Sequence, residues 1–194
     1  MANNGQQHTN TIIHPLCDIE DGALLGNGVT IDRYSCVARG AVIGDGTTLA
    51  QCVDIAADAV IGKRVTMDAG VTIAPGTSIG DEAHLGAYVA LVPVVDSRAI
   101  SAPVPGAPIT IGRGVRIGDK STIGPGVTIG EYAIVSPASA VLEDIPPYAV
   151  VTGNPARVIG YLCHCDASPV PSADACPSCA GIRDVVAVLD ALVG

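Results

Sequence analysis

The chain has 194 residues, 48% of them hydrophobic, yet it holds no Phe, no Trp and five Tyr, so a core must be filled by Val, Ile, Leu and Ala. With 23 glycines to make turns, this suits a narrow, repetitive β architecture better than a compact α/β fold. The formal charge of −9 excludes the concentrated positive charge that nucleic-acid binding needs, while leaving room for a few local arginines to hold a small anion.

Residues 1–12 are expected to form a flexible tail. "MANNGQQHTNT" is polar and has no apolar centre, so it does not read as a secretory leader. No apolar run approaches the length of a membrane span. The setting expected from these features is the cytoplasm, without a membrane partner. There the seven cysteines read as thiols or metal ligands rather than disulfides.

From Ile13 to Leu91 every sixth residue is apolar, fourteen in succession, and the series resumes as Ile111, Ile117, Ile123, Ile129, Val135 and Val141. A helix repeats at 3.6 residues and a strand at 2, so neither explains the spacing. A six-residue rhythm is the mark of a parallel β-solenoid. Four residues after each anchor stands a small or β-branched residue, such as Ala41, Thr47, Val53 or Ala59, and both positions are expected to point inward. Three hexads close one triangular coil, so residues 18 apart stack at the inter-strand spacing, roughly 4.8 Å. Asp45, Lys63 and Asp81 then form a surface column, with Arg64 beneath Glu82. Cys17, Cys36 and Cys52 are expected to be ordinary small residues in or near the core.

Of the four histidines, His8 lies in the tail, His14 opens the first coil and His164 falls near the C-terminus. His84 alone lies in the body of the coils. It tops a column of Thr30, Thr48 and Thr66, and the next member is Arg116. It is a candidate proton acceptor, whose neutral form a nearby arginine would favour. A plain corner histidine is the alternative.

Residues 92–110 interrupt the hexads with four prolines. A long loop in so regular a scaffold is usually functional, and packing on a neighbouring subunit is the other use it could have. The stretch "EDIPPYAVVTGNPARVIG" (143–160) ends the coils. Pro146–Pro147 is expected to stop the last one, and Gly153–Asn154–Pro155 to make a tight turn.

Beyond it, residues 161–181 carry Cys163 and Cys165 in C-x-C and Cys176 and Cys179 in C-x-x-C. Four thiolates at that spacing suit one structural Zn²⁺. A disulfide pair or a redox C-x-x-C is the alternative, and His164 could replace one ligand. Residues 182–194 place Ile182, Val185, Val186, Leu189, Leu192 and Val193 on one helical stripe that would dock the tail.

Over residues 13–160 the chain resembles the left-handed β-helix acyltransferases of the hexapeptide-repeat superfamily. With its Cys-rich tail it is most similar there to the nucleotide-sugar 3-amino N-acetyltransferases. The resemblance implies an all-β left-handed parallel β-helix, a homotrimer with active sites between subunits, and acetyl-CoA as acyl donor to an amine of a nucleotide-linked sugar. It also implies that Asn154, Pro155, Ala156 and Arg157 border the thioester cofactor, with Arg157 meeting a phosphate.

In those enzymes the segment before the loop reads Phe-Thr-Asn-Asp-x-x-Pro-Arg, and its Asn-Asp part contacts the reacting amine. Here the segment is "LVPVVDSR" (91–98), in which Arg98 matches and Pro93 and Val94 replace the polar pair. Asp96 then supplies a carboxylate from a shifted register, or the acceptor or acyl group differs, or the molecule is a non-catalytic trimeric scaffold. The expected acceptor-side residues are His84, Asp96, Arg98 and Arg116.

Overall fold

The computed structural model describes residues 10–92 and 107–162, together with the backbone of 169–170. Twenty two-residue strands, from β1 (Ile12–Ile13) to β20 (Ala140–Val141), wind into a three-faced parallel β-solenoid, and among the described residues there is no helix. Ile12 pairs with Thr30 and Thr30 with Thr48, a step of 18 residues per coil. The first face carries every third strand from β1, the second every third from β2 (Asp18–Ile19), and the third every third from β3 (Leu24–Leu25).

The six-residue rhythm works because each hexad turns two side chains inward. The anchor is one, as in Ile43, Leu49, Ile55, Ile61 and Met67, all at most 2% exposed. The other is the small residue two positions before it, as in Ala41, Val53, Ala59 and Val65. Large beside small fills a narrow prism without aromatics. The residue between them points outward, and the corner that follows takes a left-handed backbone at its third position, as at Gly46 (φ 69°) and Gly70 (φ 73°).

Buried hydroxyls at the small positions are satisfied by one repeated contact. Ser35, Thr47 and Ser121 each donate to the carbonyl 15 residues on, at 2.9, 2.9 and 3.1 Å. Thr77 is fully buried and its hydroxyl has no partner. The carbonyl it would meet at that spacing belongs to Val92, the last residue before the loop.

The interruption is shorter than the break in the hexads. Ser78 pairs with Thr110, 32 positions on where other coils step 18, so 14 residues are added. Ile109 is already 1% exposed. Residues 93–106 are therefore the insertion, and both its ends lie at the corner between the second and third faces.

Two expectations are corrected. Pro146–Pro147 does not stop the coil: Ile145 bridges Ile129, and β21 (Ala149–Gly153) pairs in parallel with β19 (Ile134–Val135) to continue the first face. The prolines sit at a corner of the uppermost coil, where no coil above needs their missing N–H groups. Cys36 and Cys52 are exposed rather than core-facing, because they fall on the outward strand position and the left-handed corner position; Cys17 is half-buried.

The solenoid ends in a hairpin of β21 with β22 (Ala156–Leu162), and β23 (Pro169–Val170) pairs with Tyr161 and Leu162. Leu162 covers Tyr132, Ile134, Tyr148 and Val150, and burial pushes the Tyr148 phenol up.

Candidate functional site

His84 stands at the outward position of β13 (His84–Leu85), between Thr66 in the coil below and Arg116 in the coil above. Leu85, its inward neighbour, is 0% exposed and fixes the strand in the core. The imidazole is partly open to solvent, and its Nε2 lies 3.6 Å from Oδ2 of Asp68. That distance is an ion-pair separation, too long for a hydrogen bond. Asp68 follows the buried anchor Met67 and sits at the corner beneath Gly86. Arg116 is half-buried.

Asp68 was not among the candidates from sequence. Its signal lies in a different column, the position just after each first-face anchor, which reads His14, Asp32, Ala50, Asp68, Gly86 and Gly118, so Asp68 is one of two carboxylates there. Reading that column together with the strand column would have paired it with His84.

The corner on the other side of this face is occupied by a charge cluster. Glu82 receives Arg113 through Nε at 2.9 Å and Nη2 at 2.7 Å, and Arg64 on its other oxygen. The Arg64 hydrogen bond, followed by that of Arg113, holds the Glu82 carboxyl below its ordinary value. Lys63 Nζ reaches Asp45 at 3.0 Å, and its own backbone N–H donates to Asp81. These are ladders between coils, as the column of charges suggests.

The second group of expected residues lies at the end of the solenoid. Gly153 pairs with Ala156 across the two-residue turn Asn154–Pro155, whose peptide bond is cis. Ala156 is 7% exposed and belongs to the core, while Asn154, Pro155 and Arg157 are exposed. The Gly153 N–H donates to Ser139 Oγ at 3.2 Å, holding the turn across the end of the prism. Arg157 Nη1 donates to the Ala156 carbonyl at 3.0 Å and lies 3.5 Å from Glu143 Oε1. Glu143 belongs to the corner between the second and third faces, which is also the corner where the 93–106 insertion leaves and returns.

Two groups therefore form, at different heights along one sheet. His84, Asp68 and Arg116 share the first face. Asn154, Pro155, Ala156 and Arg157 cap the end of the same ten-stranded sheet, at the corner between the first and second faces, and the Arg157 side chain reaches towards Glu143 on the next corner. Asp96 and Arg98, the four cysteines Cys163, Cys165, Cys176 and Cys179, and the stripe over 182–194 lie outside the described residues. Among the described residues no group of three or more His, Cys, Asp or Glu could hold a metal ion.

Comparison with known families agrees with this coil geometry. Residues 108–141 match the bacterial transferase hexapeptide (six repeats), and residues 53–92 match the hexapeptide repeat of succinyl-transferase. Over those two stretches the coils are similar to the hexapeptide repeats of bacterial transferases.

Among individual proteins, the chain is 38% identical over 55 residues to the dTDP-3-amino-3,6-dideoxy-α-D-galactopyranose 3-N-acetyltransferase of Aneurinibacillus thermoaerophilus. That match spans 28% of this chain and 29% of that enzyme. A histidine-to-alanine variant of the GDP-perosamine N-acetyltransferase of Caulobacter crescentus, solved with CoA and GDP-perosamine, superposes with a TM-score of 0.52 at 25% identity. It covers 79% of this chain and 58% of that one. A hexapeptide-repeat acetyltransferase of Vibrio cholerae gives 0.52 at 27% identity, over 69% of this chain and 73% of that one.

Proposed function

We propose that the protein is a CoA-dependent N-acyltransferase, transferring an acetyl group to an amine of a nucleotide-linked sugar. The observation that carries this reading is His84, set outward on a rigid strand within 3.6 Å of Asp68 and directly below Arg116. The named activities of the relatives support the substrate class.

The chemistry asks for a base, an aligned amine and a held thioester. The amine nitrogen attacks the thioester carbon, the C–N bond forms and the C–S bond breaks. The proton leaves the amine for Nδ1 of His84, while Asp68 faces Nε2 and stabilises the resulting imidazolium. The thiolate departs as the thiol after protonation. Arg116, with Asp96 and Arg98 of the insertion, orients the acceptor. Asn154, Pro155 and Ala156 border the pantetheine-bearing cofactor, and the exposed guanidinium of Arg157 meets a phosphate as Glu143 releases it.

In this reading the working molecule is a homotrimer, with the insertion of a neighbouring copy completing the acceptor side of the site. Pro93 and Val94, apolar where the resembling enzymes have Asn-Asp, favour a second reading in which the same transfer uses another acceptor or acyl group. The setting we propose is cytoplasmic; no helix among the described residues is long and apolar enough to cross a membrane. On spacing alone, Cys163, Cys165, Cys176 and Cys179 hold one structural Zn²⁺.

The test is release of thiol from acetyl-CoA with a panel of amino-sugar nucleotides. His84→Asn should lower kcat by about 10²- to 10⁴-fold. If the unaltered chain releases no thiol and gives no heat on titration with CoA, the proposal is wrong.

A further inference from the structure

Tyrosine lies over glycine twice in this solenoid. At the corner between the third and first faces, a Cβ on Gly114 would come within 2.5 Å of the Tyr132 ring. At the corner between the first and second faces, a Cβ on Gly70 would meet the Tyr88 ring at 2.6 Å. Both tyrosines hold the left-handed backbone, with φ of 57° and 58°, a conformation unfavourable for a bulky residue. The outer side of Tyr132 is occupied by Tyr148, whose ring stacks at a centroid distance of 5.5 Å and an interplanar angle of 16°. Tyr88 has no such aromatic cover among the described residues, and it is 63% exposed.

One coil above Tyr88 stands Lys120, whose backbone N–H donates to the Ala87 carbonyl at 2.8 Å. Lys120 makes no ion pair among the described residues. The two coils that lay Tyr88 on Gly70 are the same two that set His84 beside Asp68, and the coil above carries both Arg116 and Lys120. One corner of a chain of charge −9 therefore presents an open aromatic ring, two cations and the histidine, with Asp68 engaged towards the imidazole and Asp119 accepting the Ala87 N–H at 3.1 Å.

We propose that this corner binds a nucleoside diphosphate, with its base stacked on Tyr88 as Tyr148 stacks on Tyr132, and its diphosphate met by Lys120 and Arg116. A π-face takes any base, and the cations take the phosphates. The ligand's source rests on the acyltransferase reading: it is the nucleotide of the acceptor, whose sugar is thereby carried to His84. The adenosine diphosphate part of CoA has the same chemistry, and the Asn154–Pro155 turn assigned to CoA lies farther along the same corner, so the titration with CoA separates the two sources.

Isothermal titration of the full chain with UDP, GDP and dTDP, and separately with CoA, tests this. Tyr88→Phe keeps the ring and should bind the nucleoside diphosphates as the unaltered chain does. Tyr88→Gly suits the left-handed backbone and should keep its circular dichroism and melting profile. It should also lose at least about tenfold in nucleoside diphosphate affinity, with CoA affinity unchanged. Lys120→Met should weaken the same ligands.

Equal binding by Tyr88→Gly and the unaltered chain overturns the proposal. So does a loss confined to CoA, or a change in sedimentation mass with nucleotide affinity intact, which would place Tyr88 against another copy. A chain that acetylates a simple amino sugar but binds none of the three diphosphates refutes this site and leaves the acyltransferase standing. A chain that binds them through Tyr88 but never releases thiol does the reverse.

Discussion

Asp68 and Gly70 sit two residues apart on one corner and serve different ends. Asp68 faces the imidazole, so Asp68→Asn should lower kcat by about tenfold or more while leaving KM for the acceptor little changed. Steady-state kinetics with the acyl donor saturating would show it, and an effect confined to KM would remove Asp68 from the proton transfer. Gly70 has φ 73° and the Tyr88 ring against it, whereas Gly76 has φ 67° and nothing within 4 Å of an added Cβ. Gly76→Ala should therefore cost about 1–2 kcal/mol from backbone strain alone. Gly70→Ala should cost more, because the ring must also move. Denaturant titration of the two variants makes the comparison, and equal losses would mean the ring is not held on the glycine.

At the scale of the strand and corner, stability comes from stacking identical inward pairs. Leu85 is 0% exposed, and Leu85→Ala should cost about 2–5 kcal/mol in denaturant titration. Glu82 offers a pH test. Its folded carboxyl is held below the ordinary value by Arg64 and then Arg113, so its contribution is present above the unfolded carboxylate range and is lost as pH falls through the folded value. Melting temperature should fall on acidification below about pH 4.5, and Glu82→Gln should flatten part of that fall. An identical acid profile in the variant would show that the clamp contributes nothing.

The hexads made the coils legible, because a period of six leaves one inward anchor per side wherever the chain keeps step. They also carried His84 to its place below Arg116. What they did not carry were features outside the anchor column. Asp68 is one such feature, the outward placement of Cys36 and Cys52 another. The run through Pro146–Pro147 was illegible because a proline's missing N–H matters only where another coil would receive it.

For the whole molecule, the separation of His84 from Arg157 is the fact that any account must answer. Both belong to one sheet, with β16 (Arg116–Ile117), β19 and β21 between the strands that carry them, and the proposed trimer brings CoA held at one copy's Arg157 to the His84 of the next. Sedimentation equilibrium should give three times the 19.4 kDa chain mass. The cysteine pairs give an independent check: elemental analysis should find one zinc per chain, and replacing Cys176 and Cys179 with Ser should remove it. Zinc retained by that double variant, or absent from the unaltered chain, would discard the metal assignment.

A crystal structure of the protein with CoA tests the central claim most directly. The account predicts CoA lying between two copies, a phosphate oxygen about 3 Å from the Arg157 guanidinium and the thiol directed at His84 of the neighbouring copy. A cofactor bound away from Arg157, or a thiol directed away from every His84, would contradict it.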